Sequence, residues 1–193
     1  MTGTPFIPTN ITVHLGAPSA AAQNITLSFP DYIKNVASSE IYPTWPENAL
    51  IANIYAQISF ALNRVYTEWY RSQGYDFDIT NSTAFDQAFA PNRDVFENIS
   101  RIVDNIFNNY LVRGQNVEPF FAQYCNGTTV TCAGLSQWGT VPLAEQGLTP
   151  YEILTTFYGN DINIVYDAPI QDIQDSYPGT PLRLGSTGNE VRQ

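Results

Sequence analysis

Apolar residues recur along this chain with two periods. Ile11, Val13 and Leu15 alternate with polar neighbours, and so do Ile25, Leu27 and Phe29. A period of two lines one face of a strand, so the pattern predicts two short strands joined as a hairpin by residues 16–23. Pro30 and Asp31 then open a helical pattern with Ile33, Val36 and Ala37 on one face. Thr44-Trp45-Pro46-Glu47 has the spacing of a capping box, in which the Thr44 hydroxyl accepts from the Glu47 N–H and Glu47 reaches back. Leu50, Ile54, Ile58, Ala61, Leu62, Val65 and Trp69 follow at helical spacing, and Gly74 supplies a stop. A second long helix is predicted over residues 94–113, with Val95, Ile99, Ile102, Val103, Ile106, Tyr110 and Leu111 inward and Gly114 at its end.

The remaining segments are shorter. Residues 75–93 are polar and read as a loop with a short strand or turn. Residues 117–124 read as a buried strand, and residues 125–134 as a turn-rich loop. Ser136 to Gln146 fits a short helix stopped by Gly147. Thr149-Pro150-Tyr151-Glu152 is another capping box, opening a helix that ends before Gly159. Ile162, Ile164 and Tyr166 alternate as one face of a last strand, and everything from Ala168 onward reads as a Pro/Asp/Gly-rich linker. These elements predict an α+β fold, with two long helices and shorter helices packed with a small, largely antiparallel sheet. The expected organisation is an N-terminal strand segment (1–29), a main domain (30–167) and a C-terminal linker (168–193).

Composition narrows the function. The 193 residues carry a formal net charge of −10, and Lys34 is the only lysine. Neutralising phosphates needs clustered Lys and Arg, so no nucleic-acid partner and no anionic membrane surface is expected. No apolar run reaches membrane-spanning length, so no membrane insertion is expected. Met1 to Asn10 lacks the basic and apolar regions of a signal peptide. With one histidine and two cysteines, a Cys/His zinc cage is out of reach, and neither a metal nor any other cofactor is expected.

Few side chains carry candidate chemistry. Glu40 closes an apolar helical stretch and is flanked by Ile41, Tyr42 and Trp45. A carboxyl among apolar groups has its charged form disfavoured, which raises its pKa toward that of a general acid. The alternative is a solvated carboxylate at a helix end. His14 has no acid or nucleophile pattern beside it and reads as structural or solvent-facing. Cys125 and Cys132 enclose six residues and read as a disulfide or as two inert thiols.

Three ordered motifs carry a resemblance. Asp31-Tyr-Ile-Lys34 through Ala37-Ser-Ser-Glu40, with Trp45-Pro46 and Ala49-Leu50, resembles the opening of the stage II sporulation protein D (SpoIID) domain. Tyr75-Asp-Phe-Asp-Ile-Thr80 is similar to its middle motif. Gly134-Leu-Ser136-Gln137-Trp138-Gly139, Leu143 to Gly147 and Tyr151 to Gly159 resemble its closing motif. The resemblance spans about residues 30–160 and is nearest to the SleC-type spore cortex-lytic enzymes of clostridia. Pro181-Leu-Arg-Leu-Gly185 to Val191 looks like the first residues of a peptidoglycan-binding repeat, which implies an excised fragment.

The family resemblance implies a peptidoglycan lytic transglycosylase acting in spore cortex degradation during germination. It implies Glu40 as the catalytic acid, a location in spore cortex or cell wall, and peptidoglycan glycan strands as the partner. Tyr42, Trp45 and Trp138 are then candidate sugar-stacking surfaces, with partial burial in the core as the alternative. Ser136 and Gln137 would hydrogen-bond substrate or brace Glu40, and Asn53 and Gln57 would line the groove. Departures from the family pattern are visible. Ile51 and Ile58 hold places where Lys and Arg are common, residues 75–85 lack the Cys/His zinc motif of some members, and Trp138 replaces a tyrosine. They leave open a rival in which the chain is a non-catalytic peptidoglycan-binding or structural spore-envelope module.

Overall fold

The computed structural model describes residues 3–172. The chain enters through a two-residue strand β1 (Ile7–Pro8) and then forms the expected hairpin. Strand β2 (Asn10–His14) runs antiparallel to β3 (Asn24–Ser28), with Asn10 opposite Ser28 and His14 opposite Asn24. Ile7, Ile11 and Val13 are fully buried in the same core as the helices that follow, so residues 3–29 are integral to the main body. His14 is structural: its ring stacks on Phe77, with Nδ1 2.7 Å from Asn24 Oδ1 and Nε2 2.9 Å from the Ala20 carbonyl.

Helix α1 (Phe29–Glu40) begins where the Ser28 side chain accepts from the Asp31 N–H and Pro30 occupies the first turn. Its apolar stripe buries Tyr32, Ile33, Val36 and Ala37, and the chain turns extended at Ile41, leaving Glu40 as the last helical residue. Helix α2 (Glu47–Tyr66) crosses the middle of the molecule and is buried on almost all sides. One core packs it against α1 and the hairpin; a second packs Ala52, Tyr55 and Ala56 against the C-terminal elements. The Thr44 capping box does not form. Pro46 itself stands at the N-cap with extended backbone, and Glu47 faces Arg101 at 3.4 Å instead. The helix also stops eight residues before Gly74. Glu68 adopts a left-handed φ of 52°, and Gly74 ends only a short 3₁₀ turn at Arg71–Gln73.

Strand β4 (Ile79–Thr80) lies parallel to β2. The second long helix is shorter than predicted: α3 spans Glu97–Ile106, and Tyr110–Arg113 is strand β5. The helical spacing of Ile99, Ile102 and Val103 serves one buried face, whereas Tyr110, Leu111 and Val112 are consecutive and all buried, which suits a strand enclosed on both sides. Residues 117–123 are irregular rather than a strand, with a bend at 117–118 and the Gln123 N–H turning back to the Phe121 carbonyl. Strand β6 (Tyr124–Cys125) runs parallel to β7 (Leu135–Ser136). Helix α4 (Thr140–Glu145) is followed by α5 (Pro150–Tyr158), whose Thr149–Glu152 capping box is formed. Strand β8 (Ile162–Val165) closes antiparallel on β5. Residues 168–172 are not linker: Ala168 is buried and β9 (Ile170–Gln171) pairs in parallel with β1. The peptidoglycan-binding-repeat resemblance at 181–191 lies outside the described residues.

The α+β class is borne out, with five helices among the described residues. In place of one largely antiparallel sheet, the described residues form small sheets of two or three strands, parallel in three pairings and antiparallel in two. Among the described residues no helix is long and apolar enough to cross a membrane.

Candidate active site

The end of α1 delivers Glu40 to a convergence of donors. Gln57, one turn after Asn53 on α2, donates from Nε2 to Oε1 at 3.0 Å, and Gln137 donates to the same oxygen at 3.4 Å. The Ala88 N–H and the Tyr124 hydroxyl each donate to Oε2 at 3.0 Å. Hydrogen bonds to a carboxylate favour its charged form, while removal from water disfavours it. Here desolvation is the larger influence: the Glu40 carboxyl is pushed up to about 7, with the four donors acting against the rise. The residue as a whole is half-buried. Burial first, and then the adjacent Glu40 charge, raise the Tyr124 phenol well above its ordinary value, so it stays a donor.

Each donor is held by a distinct piece of local structure. Asn35 on α1 clamps the loop that carries Ala88: its Nδ2 donates to the Ala90 carbonyl (2.7 Å) and its Oδ1 accepts from the Ala90 N–H (3.0 Å). Buried Gln87 ties the same loop to both helices, accepting from the Tyr32 hydroxyl and donating to the Gln57 carbonyl. Tyr124 and Gln137 are placed by the β6–β7 pair, where the Gln137 N–H donates to the Cys125 carbonyl at 2.9 Å. That pairing is close. A Cβ at Gly134 would fall on the Gln123 carbonyl, so only glycine allows the approach.

Cys125 and Cys132 form a disulfide, one of the two alternatives open from sequence. It closes a short loop with a sequence separation of 7 directly beside this pair. Loop-closure entropy makes a disulfide of this span worth about 2.5 kcal/mol. Reduction, or the double Cys125→Ser/Cys132→Ser variant, is expected to lower stability by about that amount in urea titrations with and without reductant. An unchanged urea midpoint would show that the β6–β7 pair holds without the cross-link.

The predicted residues separate into three groups. Gln57 and Gln137 meet Glu40, but both are buried, so they brace the carboxyl and do not line a groove. Asn53 is also buried; it acts at one remove, donating to Thr140 Oγ1 (2.9 Å), which in turn donates to the Gln137 carbonyl (2.6 Å). Ser136 does not face Glu40, since its Oγ accepts from the Gly139 N–H and shapes the turn into α4. Tyr42, Trp45 and Trp138 do come together, with ring centroids 4.8–5.8 Å apart. Trp45 is the buried base of this cluster, and Tyr42 (55% exposed) and Trp138 (41%) are its open faces. Ile58 lies in the core and Ile51 is half-buried, so neither position presents a cation to Glu40. Sequence reading missed Ala88 and Tyr124. A backbone donor leaves no trace in residue type, and Tyr124 was only one aromatic in an expected core strand.

The arrangement is chemically specific: one carboxyl group near neutrality, fixed by four donors, beside an exposed aromatic ledge. The chain matches no known family model, and no curated protein matches it significantly.

Proposed function

We propose that this chain is a peptidoglycan lytic transglycosylase in which Glu40 is the sole acid and base. The observation that carries the reading is the Glu40 carboxyl itself, enclosed, held by Gln57, Gln137, Ala88 and Tyr124, and pushed up to about 7. A large fraction is therefore protonated near neutrality, as a general acid requires. Protonated Glu40 donates to the oxygen linking N-acetylmuramic acid to N-acetylglucosamine as the C1–O bond breaks. The oxocarbenium-like centre is supported by the sugar's own N-acetyl oxygen, as in substrate-assisted glycosidases. The resulting carboxylate takes the proton of the C6 hydroxyl, whose oxygen closes on C1. The products are a 1,6-anhydro-muramic end and a free N-acetylglucosamine hydroxyl, and no water is consumed. An internal nucleophile makes the second step unimolecular, which is where positioning yields most.

The motif resemblance supplies the substrate class, and the aromatic ledge of Tyr42 and Trp138 is consistent with it. A net charge of −10 suits neutral glycan better than a polyanion, and spore cortex, in which muramic lactam replaces acidic stem peptides, fits that preference. A disulfide at Cys125–Cys132 suits an extracytoplasmic compartment such as spore cortex or cell wall.

The test is a digest of cortex and vegetative murein, with product ends identified by mass spectrometry across a pH series. Anhydro-muramic ends are expected. Because the acid must be protonated, kcat/KM should fall about tenfold per pH unit above the Glu40 value of about 7 and level off below it. Hydrated reducing ends would instead establish a hydrolase, and binding without cleavage would establish a non-catalytic module.

A further inference from the structure

An open groove of about 850 Å³ is lined in part by Tyr124, one of the Glu40 donors. Two of its lining segments are joined in the chain to Glu40 donors. One is the 83–86 loop, which runs on to Ala88; the other is the Phe121–Tyr124 segment, which ends in the Tyr124 hydroxyl. One Oε2 donor, Tyr124, thus lines the groove, and the other, Ala88, follows two residues after the lining residue Asp86.

The groove is built, not incidental. Arg64 of α2 lies beneath it, with its guanidinium carbon 4.8 Å from the Trp69 ring centroid and 4.7 Å from that of Phe121. Glu68, at φ 52°, reverses the chain so that the Trp69 N–H returns to the Arg64 carbonyl and the indole folds over the cation. Arg64 is in turn fixed by Asp86, whose side chain is fully buried, at 2.7 Å. A desolvated ion pair is a poor source of stability, but it holds rigid whatever stacks upon it. Trp69 nevertheless keeps 47% of its surface exposed, and Phe85, which also lines the groove, keeps 50%. The same lining offers neutral hydrogen-bonding groups from Asn63, Thr67, Thr83 and Gln123.

The geometry points to this groove as a second arm of the glycan site, in which Trp69 and Phe85 stack on pyranose rings of the strand that passes Glu40 toward Tyr124. A pyranose presents an apolar C–H face and a rim of hydroxyls, which match rings alternating with amides and hydroxyls. An acidic stem peptide fits worse. Arg64 already faces Asp86, and Glu118 on the rim repels carboxylates. This inference rests on the transglycosylase reading and extends it to a substrate several sugars long, reaching from the acid past Tyr124 to Trp69.

The test uses peptide-free glycan strands of graded length and reads the ratio of kcat/KM on long strands to that on the shortest strand cleaved. Trp69→Ala is expected to lower this ratio about tenfold, and Trp69→Phe, which keeps a ring over Arg64, to restore most of it. Tyr166→Ala, which removes an exposed aromatic outside the groove, is expected to leave the ratio unchanged. Titration of the same strands into Glu40→Gln, with and without Trp69→Ala, measures binding apart from cleavage. An unaltered ratio together with unaltered binding in Trp69→Ala overturns the groove while leaving catalysis intact. So does a groove that responds to stem peptides and not to bare glycan. Binding lost in Trp69→Ala, in a protein that cleaves nothing, keeps the groove and removes the transglycosylase. Neither binding nor cleavage removes both.

Discussion

Replacing Glu40 with glutamine is expected to lower glycan cleavage about 100- to 10,000-fold and, in the same protein, to abolish one component of the pH dependence of stability. The first effect follows, on the proposed mechanism, from loss of the carboxyl that gives and takes the proton. The second follows from linkage. The Glu40 carboxyl has its ordinary value of 4.5 in the unfolded chain and about 7 in the fold. Below pH 4.5 both states hold the proton and nothing is lost. Between 4.5 and 7 the unfolded chain releases a proton that the fold retains, so stability falls as pH rises; above 7 the loss is complete. Its size is about 3 kcal/mol. The difference in unfolding free energy between Glu40→Gln and wild type should therefore climb by about that much from pH 4 to pH 8, whatever its offset. Other titrating groups are common to both proteins and cancel. The Gln57 Oε1 atom is buried without a partner, and rotation of that amide would offer an acceptor to the N–H₂ group that the substitution introduces. Full turnover by the variant would remove Glu40 as the acid. A flat difference curve would show that its carboxyl is not desolvated.

Asp86→Ala is expected to be the most destabilising single substitution considered, at about 3–5 kcal/mol. Asp86 Oδ1 accepts from Arg64 Nε at 2.7 Å, while Oδ2 accepts from the Tyr70 hydroxyl at 2.6 Å and from the Thr80 N–H and Oγ1 at 3.1 and 2.7 Å. Removing the carboxylate strands the Arg64 cation at the base of the groove and leaves three further donors unsatisfied. A calorimetric melting point lower by about 10 °C is the expected reading for a chain of this size. Asp86→Asn keeps an acceptor and the shape and should fall between. The contrast is Glu47→Gln: Glu47 and Arg101 are 64% and 58% exposed, and their pair is worth less than about 1 kcal/mol. A mild Asp86→Ala would mean that water reaches Arg64 and that the groove floor is not rigid.

Much of the fold was legible in linear pattern where a signal is local. The Asn10–Ser28 hairpin, α1, and the Thr149 capping box of α5 each depend on neighbours within a few residues, and each formed. Misreadings arose where a local signal competed with a distant partner. Tyr110–Arg113 continued a helical spacing, yet it is claimed by β8, some fifty residues on, and by Ser59 Oγ, which accepts from the Leu111 N–H. The Thr44 box lost to an extended Pro46, and the end of α2 was set by a left-handed Glu68 that no composition rule marks.

The same division runs through the site. Residue order alone determined that a carboxyl would stand at the end of an apolar helix among aromatics, and that Tyr42, Trp45 and Trp138 were available to it. Only the tertiary structure decided that Gln57 and Gln137 brace the carboxyl from buried positions, that Ala88 and Tyr124 complete its donors, and that Trp69 turns back over Arg64 to floor a groove. The physical reason is range. Periodicity and capping act over one or two turns of chain, whereas desolvation and hydrogen bonding of Glu40 depend on groups 17 to 97 residues away, whose approach is known only once the chain has closed on itself.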